Sequence, residues 1–314
     1  MSYLTEYKNY LQRLSSIRSN GTIDTYLGNV QHFITWFEES YGIEFTRLNS
    51  ANIKEYISYL KNEKKRANTT INNKLSAILI FNYFLIHTGV QKEVVITKED
   101  YYPLHNQKIN PTKTQKYEIT MFRQKCLDST SINRKRNYAM MTLMATTGIR
   151  AEELVSIETK DIDLSKSELK ISSSKTNNPR IVYLPHITLE AINDYLIVKN
   201  NPDGTYKRSL AVDDPHLFVS RQLSKKNGHY GLCRQTLNRI TKSYRGESQI
   251  TPHELRHHWV TWAVKPAAEG GGGLTLEEAA ALAGHNSIRT TSIYTNPIAS
   301  KMKAKVSRYK DSDV

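Results

Sequence analysis

The chain has 314 residues, 39% hydrophobic and 24% charged, a globular composition with no apolar run of about 20 residues, which excludes a membrane-spanning helix. Lys and Arg outnumber Asp and Glu by 44 to 30, giving a net charge of +14 and a pI near 9.5. A surplus of that size favours a polyanionic partner through counterion release.

The length suggests about two domains. Residues 1 to 110 carry 13 basic and 10 acidic groups and the remainder 31 and 20, so most of the surplus lies in the second part. Cys126 and Cys233 are too few for a disulfide framework. The N-terminus lacks the apolar core of a signal peptide. Both observations point to the cytoplasm.

Four helices are predicted over residues 1–92. Leu4, Tyr7, Leu11 and Leu14 form one stripe; Ile23, Leu27, Val30, Ile34 and Phe37 form another behind Thr22, a candidate N-cap. A third helix follows Asn49-Ser50 with Ile53, Ile57 and Leu60, and a fourth runs from about Asn68 through Leu75, Leu79 and Phe84 to Gly89. Residues 93–115 lose this period and contain Pro103 and Pro111, the pattern of a linker.

Residues 116–314 make the second part. Helices are expected at 117–127 and 134–145, after which the period changes. Leu169 and Ile171 alternate with polar residues, TNNP supplies a turn, and Ile181 and Tyr183 resume the alternation, giving a β-hairpin with Lys175 beside its tip. Further helices are expected at 188–199, 233–243, 252–264, 275–283 and 286–310. Residues 269–273, with four successive glycines, read as a flexible loop. The fold class is mainly α with a small β-hairpin or sheet in the second domain.

TPHELRHHW, residues 251–259, supports two readings. As H-E-x-x-H it puts His253 and His257 on one helical face, with Glu254 to polarise a water and Glu277 as a third zinc ligand. As H-x-x-R it puts His253 and Arg256 at a helix start, where unpaired amides attract anions. Thr251-Pro252 resembles an N-cap followed by a first-turn proline, which gives Glu254 the structural job of completing a capping box.

The remaining motifs favour the second reading. TTGIRAEELVSIETKDID (146–163) resembles the first conserved box of the tyrosine recombinases, or phage integrase family, with Arg150 as its arginine. TPHELRHHW is similar to that family's H-x-x-R box, and LAGHNSIRTTSIYT (282–295) to its last box, with His285 followed nine residues later by Tyr294. Residues 66–85 resemble the last helix of the family's core-binding domain. The spacing from Arg256 to His285 is about six residues longer than the family pattern, and the surplus falls on the glycine loop, which puts in question how firmly His285 and Tyr294 are held.

The resemblance implies a two-domain site-specific recombinase: a helical DNA-binding domain (1–92), a linker (93–115) and a catalytic domain (116–314). Tyr294 would attack a DNA phosphorus, leaving a 3′-phosphotyrosyl bond and a free 5′-hydroxyl. Arg150 and Arg256 would clamp the phosphate, guanidinium being suited to paired oxygens. A structural alternative for Arg150 is an ion pair with Glu152 or Glu153. Lys175 would protonate the departing oxygen, with Lys160, Lys166 and Lys170 as nearby alternatives. His253 and His285 would bond the phosphate or take the tyrosine proton. The implied chemistry requires no metal or cofactor.

DNA contacts are expected from Lys64, Lys65, Arg66, Thr69, Asn73 and Lys74 in the first domain and Arg234, Gln235 and Asn238 in the second. The implied partner is double-stranded DNA with inverted-repeat core sites, bound by a homotetramer whose helix 298–310 docks on a neighbour through Ile298, Met302, Val306 and Tyr309; packing on its own domain is the alternative. A start directly at the helical bundle suggests a compact bacterial or phage-encoded resolvase at the nucleoid. Two other functions fit parts of the pattern: an accessory DNA-binding protein that does not cut, and a topoisomerase using the same nucleophile.

Overall fold

The structure, a computed structural model, describes residues 2–14, 20–103, 114–172, 179–201, 214–223, 228–284 and 306. Two compact units divide the chain, Met1–Ile109 and Asn110–Val314. Among the described residues no helix is long and apolar enough to cross a membrane.

The first unit holds α1 (Ser2–Arg13), α2 (Asn20–Tyr41), α3 (Ser50–Ser58), a π-helical turn (Tyr59–Glu63) and α4 (Asn68–His87). Their apolar stripes meet in an aromatic core. Phe33 stands edge-on to Tyr56 at 5.1 Å and Tyr7 to Phe81 at 5.0 Å, all four rings fully buried. Asn49 caps α3 by accepting from the Asn52 amide at 2.8 Å. Thr22 is not a cap: α2 starts two residues earlier at Asn20, itself a residue type suited to a helix start.

Residues 93–102, expected to open a linker, lie against α4. Two buried asparagines hold them. Asn82 donates to Glu93 O at 3.0 Å and accepts from Val95 N at 2.9 Å; Asn72 donates to Tyr102 O at 2.9 Å and accepts from Tyr102 N at 3.0 Å. Each side-chain amide satisfies backbone groups that packing has removed from water. Residues 104–113 lie outside the described set.

The second unit holds α5 (Lys116–Asp128), α6 (Arg134–Thr147), α7 (Ala151–Ser156), β1 (Ile162–Asp163), β2 (Glu168–Ile171), β3 (Arg180–Tyr183), α8 (His186–Asn200), α9 (Arg234–Tyr244), α10 (Pro252–Val264) and α11 (Leu276–Ala283). Residues 139–147 of α6 are buried without a break, so this helix is the centre of the unit, against α5, α8 and α10. The strands form one antiparallel sheet in the order β1-β2-β3, with Leu169 opposite Val182 and Ile171 opposite Arg180. This register corrects the expected alternation. Val182 takes the inward position and Ile181 faces solvent, while Tyr183 at the strand end is buried as expected; Arg180, two residues before Val182, points inward as well.

The glycine stretch is also unlike its expectation as a flexible loop. After a 3₁₀ turn (Ala267–Glu269), the amides of Gly271, Gly272, Gly273 and Leu274 donate to Pro266, Trp262, Lys265 and Ala263 carbonyls at 2.8–3.0 Å. Trp262 and Ala263 belong to the last turn of α10 and Lys265 caps it, so three of these four bonds serve the helix end. A Cβ on Gly271 would sit 2.2 Å from the Lys265 carbonyl oxygen, so the close approach requires glycine. The expected helix 286–310 lies outside the described residues except for Val306, which is buried in the core of the second unit.

Candidate active site

α6 ends at Gly148, and two residues later Arg150 precedes α7, whose third residue Glu153 reaches back to accept from the Arg150 amide at 2.8 Å. The Arg150 Nη1 donates to Glu153 Oε1 at 3.0 Å and its Nη2 to the carbonyl of Gly284. The ion pair set out as the structural alternative for Arg150 therefore exists, with Glu153; Glu152 pairs instead with Arg234 at 3.2 Å. Arg150 nonetheless lines a cleft.

Glu153 is shared. Arg180, on the inward face of β3, places Nη1 on Oε1 and Nη2 on Oε2, both at 2.8 Å, and Nε on the Leu282 carbonyl at 2.7 Å. Burial alone would raise the Glu153 carboxyl; the bonds and charges of Arg180, then of Arg150, outweigh it and hold the group at about 2. Gly284 ends α11 at φ +68°, and a Cβ there would lie 2.7 Å from Arg180 Nη1 and 3.0 Å from Arg150 Nη1.

Thr251 caps α10 by accepting from the Glu254 amide at 3.1 Å, and Pro252 opens the helix. His253 and Arg256 follow in the first turns. Arg256 is buried, donates to the Gly148 carbonyl at 2.6 Å, and is pulled down to about 10 by burial and then by the charge of Arg150, so it stays protonated at neutral pH. Desolvation, followed by His257 and Arg256, lowers the His253 pKa and favours its neutral form.

A cleft of about 720 Å³ runs between α7, α9 and α10. Arg150, Arg234, Lys242, Arg245 and Arg256 line it with His253, against the single acid Glu152. Five cations facing one open cleft suit a polyanion. Arg234 and Asn238 lie on this wall, and Gln235 is exposed on the same helix outside it. Lys64, Lys65, Arg66, Thr69 and Asn73 are exposed at the turn before α4 and on its first turns, while Lys74 is half-buried and donates to Asn29 Oδ1 at 3.5 Å. Lys175, His285 and Tyr294 lie outside the described residues.

The sequence reading missed Glu153 as an anchor, Arg180, Lys242 and Arg245. The last two were legible: they continue the spacing of Arg234 and Asn238 on α9. Arg180 offered a signal only through the strand register.

His253 and His257 stand edge to face at 4.6 Å. Among the described residues, the one group of three ligand types within 4.8 Å is elsewhere, at Asp214, His216 and His229. There Asp214 Oδ1 accepts from the His216 amide and Nδ1 at 3.0 and 2.6 Å, and Oδ2 from the Tyr230 amide at 2.5 Å. Both carboxylate oxygens are engaged within the protein.

Comparison with known proteins decides the family. Residues 112–301 match the model of the phage integrase family, and residues 6–86 that of the phage integrase N-terminal SAM-like domain. The chain belongs to the phage integrase family. It is a tyrosine recombinase, a family of enzymes that cleave and rejoin DNA. The TnP I resolvase of Bacillus thuringiensis is 38% identical over 306 residues, covering 98% of this chain and 99% of that protein. The tyrosine recombinase XerD of Halalkalibacterium halodurans is 27% identical, covering 94% and 93%. In fold, this tyrosine recombinase resembles the XerH recombinase bound to a palindromic difH substrate (TM-score 0.62, 19% identity, covering 91% of this chain and 79% of that one). It also resembles a lambda integrase dimer bound to a COC′ core site (TM-score 0.61, 17% identity, 93% and 98%).

Proposed function

We propose that this recombinase cuts DNA by attack of Tyr294 on a phosphorus held by Arg150 and Arg256, and that it resolves, integrates or excises a mobile element in the cytoplasm. The observation that carries this reading is the convergence of Arg150, Arg256 and His253 on one basic cleft. The two guanidiniums would neutralise charge growing on the non-bridging oxygens, in a site already dry enough to perturb Arg256. A neutral His253 can donate to the phosphate or take the phenol proton. His285 shares those roles, and Lys175 protonates the leaving 5′-oxygen. The phosphotyrosyl ester conserves the energy of the broken bond, so a 5′-hydroxyl reverses the step without ATP.

DNA would be gripped by the second unit through α9, with Arg234, Gln235 and Asn238, and by the first through Lys64, Lys65, Arg66, Thr69, Asn73 and Lys74. These assignments, and the domain roles of 1–92 and 116–314, rest on family resemblance and exposure; of the expected linker 93–115, residues 93–102 are bonded to α4, which leaves the linker role to the part beyond Tyr102. The working assembly is a homotetramer on two inverted-repeat sites. Val306 is buried against its own unit, so docking of helix 298–310 on a neighbour exchanges that contact for an equivalent one. The 38% identity with a named resolvase supports the resolution role.

The test is a suicide duplex taken from the inverted repeats flanking the gene and nicked beside the cleavage point. The protein should form a covalent adduct resistant to denaturant, and Tyr294→Phe should form none. A protein that binds this duplex but never attaches to it is an accessory factor. Relaxation of a plasmid lacking the repeats identifies a topoisomerase instead.

A further inference from the structure

Arg150 faces a problem that its neighbours create. Glu153 is almost completely buried and three residues away, and a carboxylate in that position can take both ends of the Arg150 guanidinium and cancel its charge. It does not do so here. Glu153 gives both oxygens to the fork of Arg180 at 2.8 Å, and Arg150 keeps one side-chain bond to it at 3.0 Å.

We propose that Arg180 is a positioning residue that keeps Arg150 available to phosphate, by occupying the carboxylate that would otherwise neutralise it. With Arg180 present, the trio of two guanidiniums and one carboxylate carries a net positive charge; without it, Arg150 and Glu153 form a neutral pair. Arg180 does not line the cleft, whereas Arg150 does, so its influence is exerted through Glu153. Its own position is set at three points: the fork on Glu153, Nε on the Leu282 carbonyl at 2.7 Å, and the bare face of Gly284, where a Cβ would meet both guanidiniums. Arg150 in turn donates to the Gly284 carbonyl, so both arginines are held against the turn that ends α11.

The inference rests on the proposed function for its consequence in catalysis, and on charge alone for its consequence in binding. The experiment therefore has two readouts on Arg180→Gln, Glu153→Gln/Arg180→Gln and Arg150→Gln: the calorimetric Kd for inorganic phosphate and the rate of covalent attachment to the nicked duplex. Arg180→Gln should weaken phosphate binding by about tenfold, the cost of losing one charge-assisted contact, and so approach Arg150→Gln. Removing the Glu153 charge as well should restore most of that affinity and raise the attachment rate above that of Arg180→Gln. A purely structural Arg180 gives no such rescue.

Phosphate affinity unchanged in Arg180→Gln, or a double variant as weak as Arg150→Gln, overturns the inference. Should Arg180→Gln fail to fold once the Arg180 bonds to Glu153 are lost, the double variant, which buries no carboxylate at this position, still discriminates through its affinity relative to Arg150→Gln. Rescue of phosphate binding by a protein that never attaches to DNA would refute the recombinase reading and uphold the role of Arg180.

Discussion

The two units bury different chemistry. Among the described residues, the buried polar side chains of the first unit are all uncharged, Asn52, Asn72, Asn82 and Gln91, whereas the second buries Arg123, Arg136, Glu153, Lys199, Asp214, Arg256 and Glu278. In the first unit, Asn72 and Asn82 stitch a chain segment to α4 around an aromatic core. In the second, Glu153 and Arg256 are held beside an open cationic cleft. Burying charge costs folding energy unless partners are in place; of these seven groups Arg256 lines the cleft and Glu153 bonds to Arg150 at its edge, and there function opposes stability. The first unit is built to hold together, and the second to hold charge in position.

That contrast can be broken or sharpened by substitution. The largest effect is expected from Arg256→Ala, which should slow covalent attachment by about 10²–10³-fold, the usual scale for losing one donor to a transition-state oxyanion. It is measured under single-turnover conditions at saturating DNA. Next is the acid stability of the second unit. Because the folded Glu153 carboxyl sits at about 2 against an ordinary 4.5, its contribution is present above pH 4.5 and lost as the pH falls toward 2. It amounts to roughly 3 kcal/mol, and urea unfolding across that window should lose this slope in Glu153→Gln.

A smaller change is expected in the first unit. Asn82→Ala strands the Val95 amide and leaves the Glu93 carbonyl to Gln91 Nε2 alone, lowering stability by about 2 kcal/mol while leaving attachment at saturating DNA unaltered. Smallest are Lys64→Gln, Lys65→Gln and Arg66→Gln. Each should reduce the slope of log affinity against log salt by about one, with no change in attachment rate once DNA is bound.

The helices were legible because a stripe at three- and four-residue spacing needs no knowledge of its partner: Tyr7, Leu11, Ile53 and Leu75 are all buried. The local cap at Thr251-Pro252 was legible for the same reason, whereas Thr22 falls inside α2. Contacts set at long range were not. Arg180 meets Glu153 across 27 residues, and whether it points inward depends on a strand register that one residue of slippage would reverse. The glycine stretch was misread because its amides find carbonyls of a helix end that exists only once α10 has formed. Arg150, His253 and Arg256 were nameable from their motifs, while the brace that orients Arg150 required the fold.

The central claim is that the phenol oxygen of Tyr294 becomes the link to DNA, and mass spectrometry of the protease-digested covalent adduct tests it most directly. The account predicts a nucleotide joined through a 3′-phosphate to the peptide containing Tyr294. A nucleotide on any other residue, or one attached through a 5′-phosphate, would contradict it.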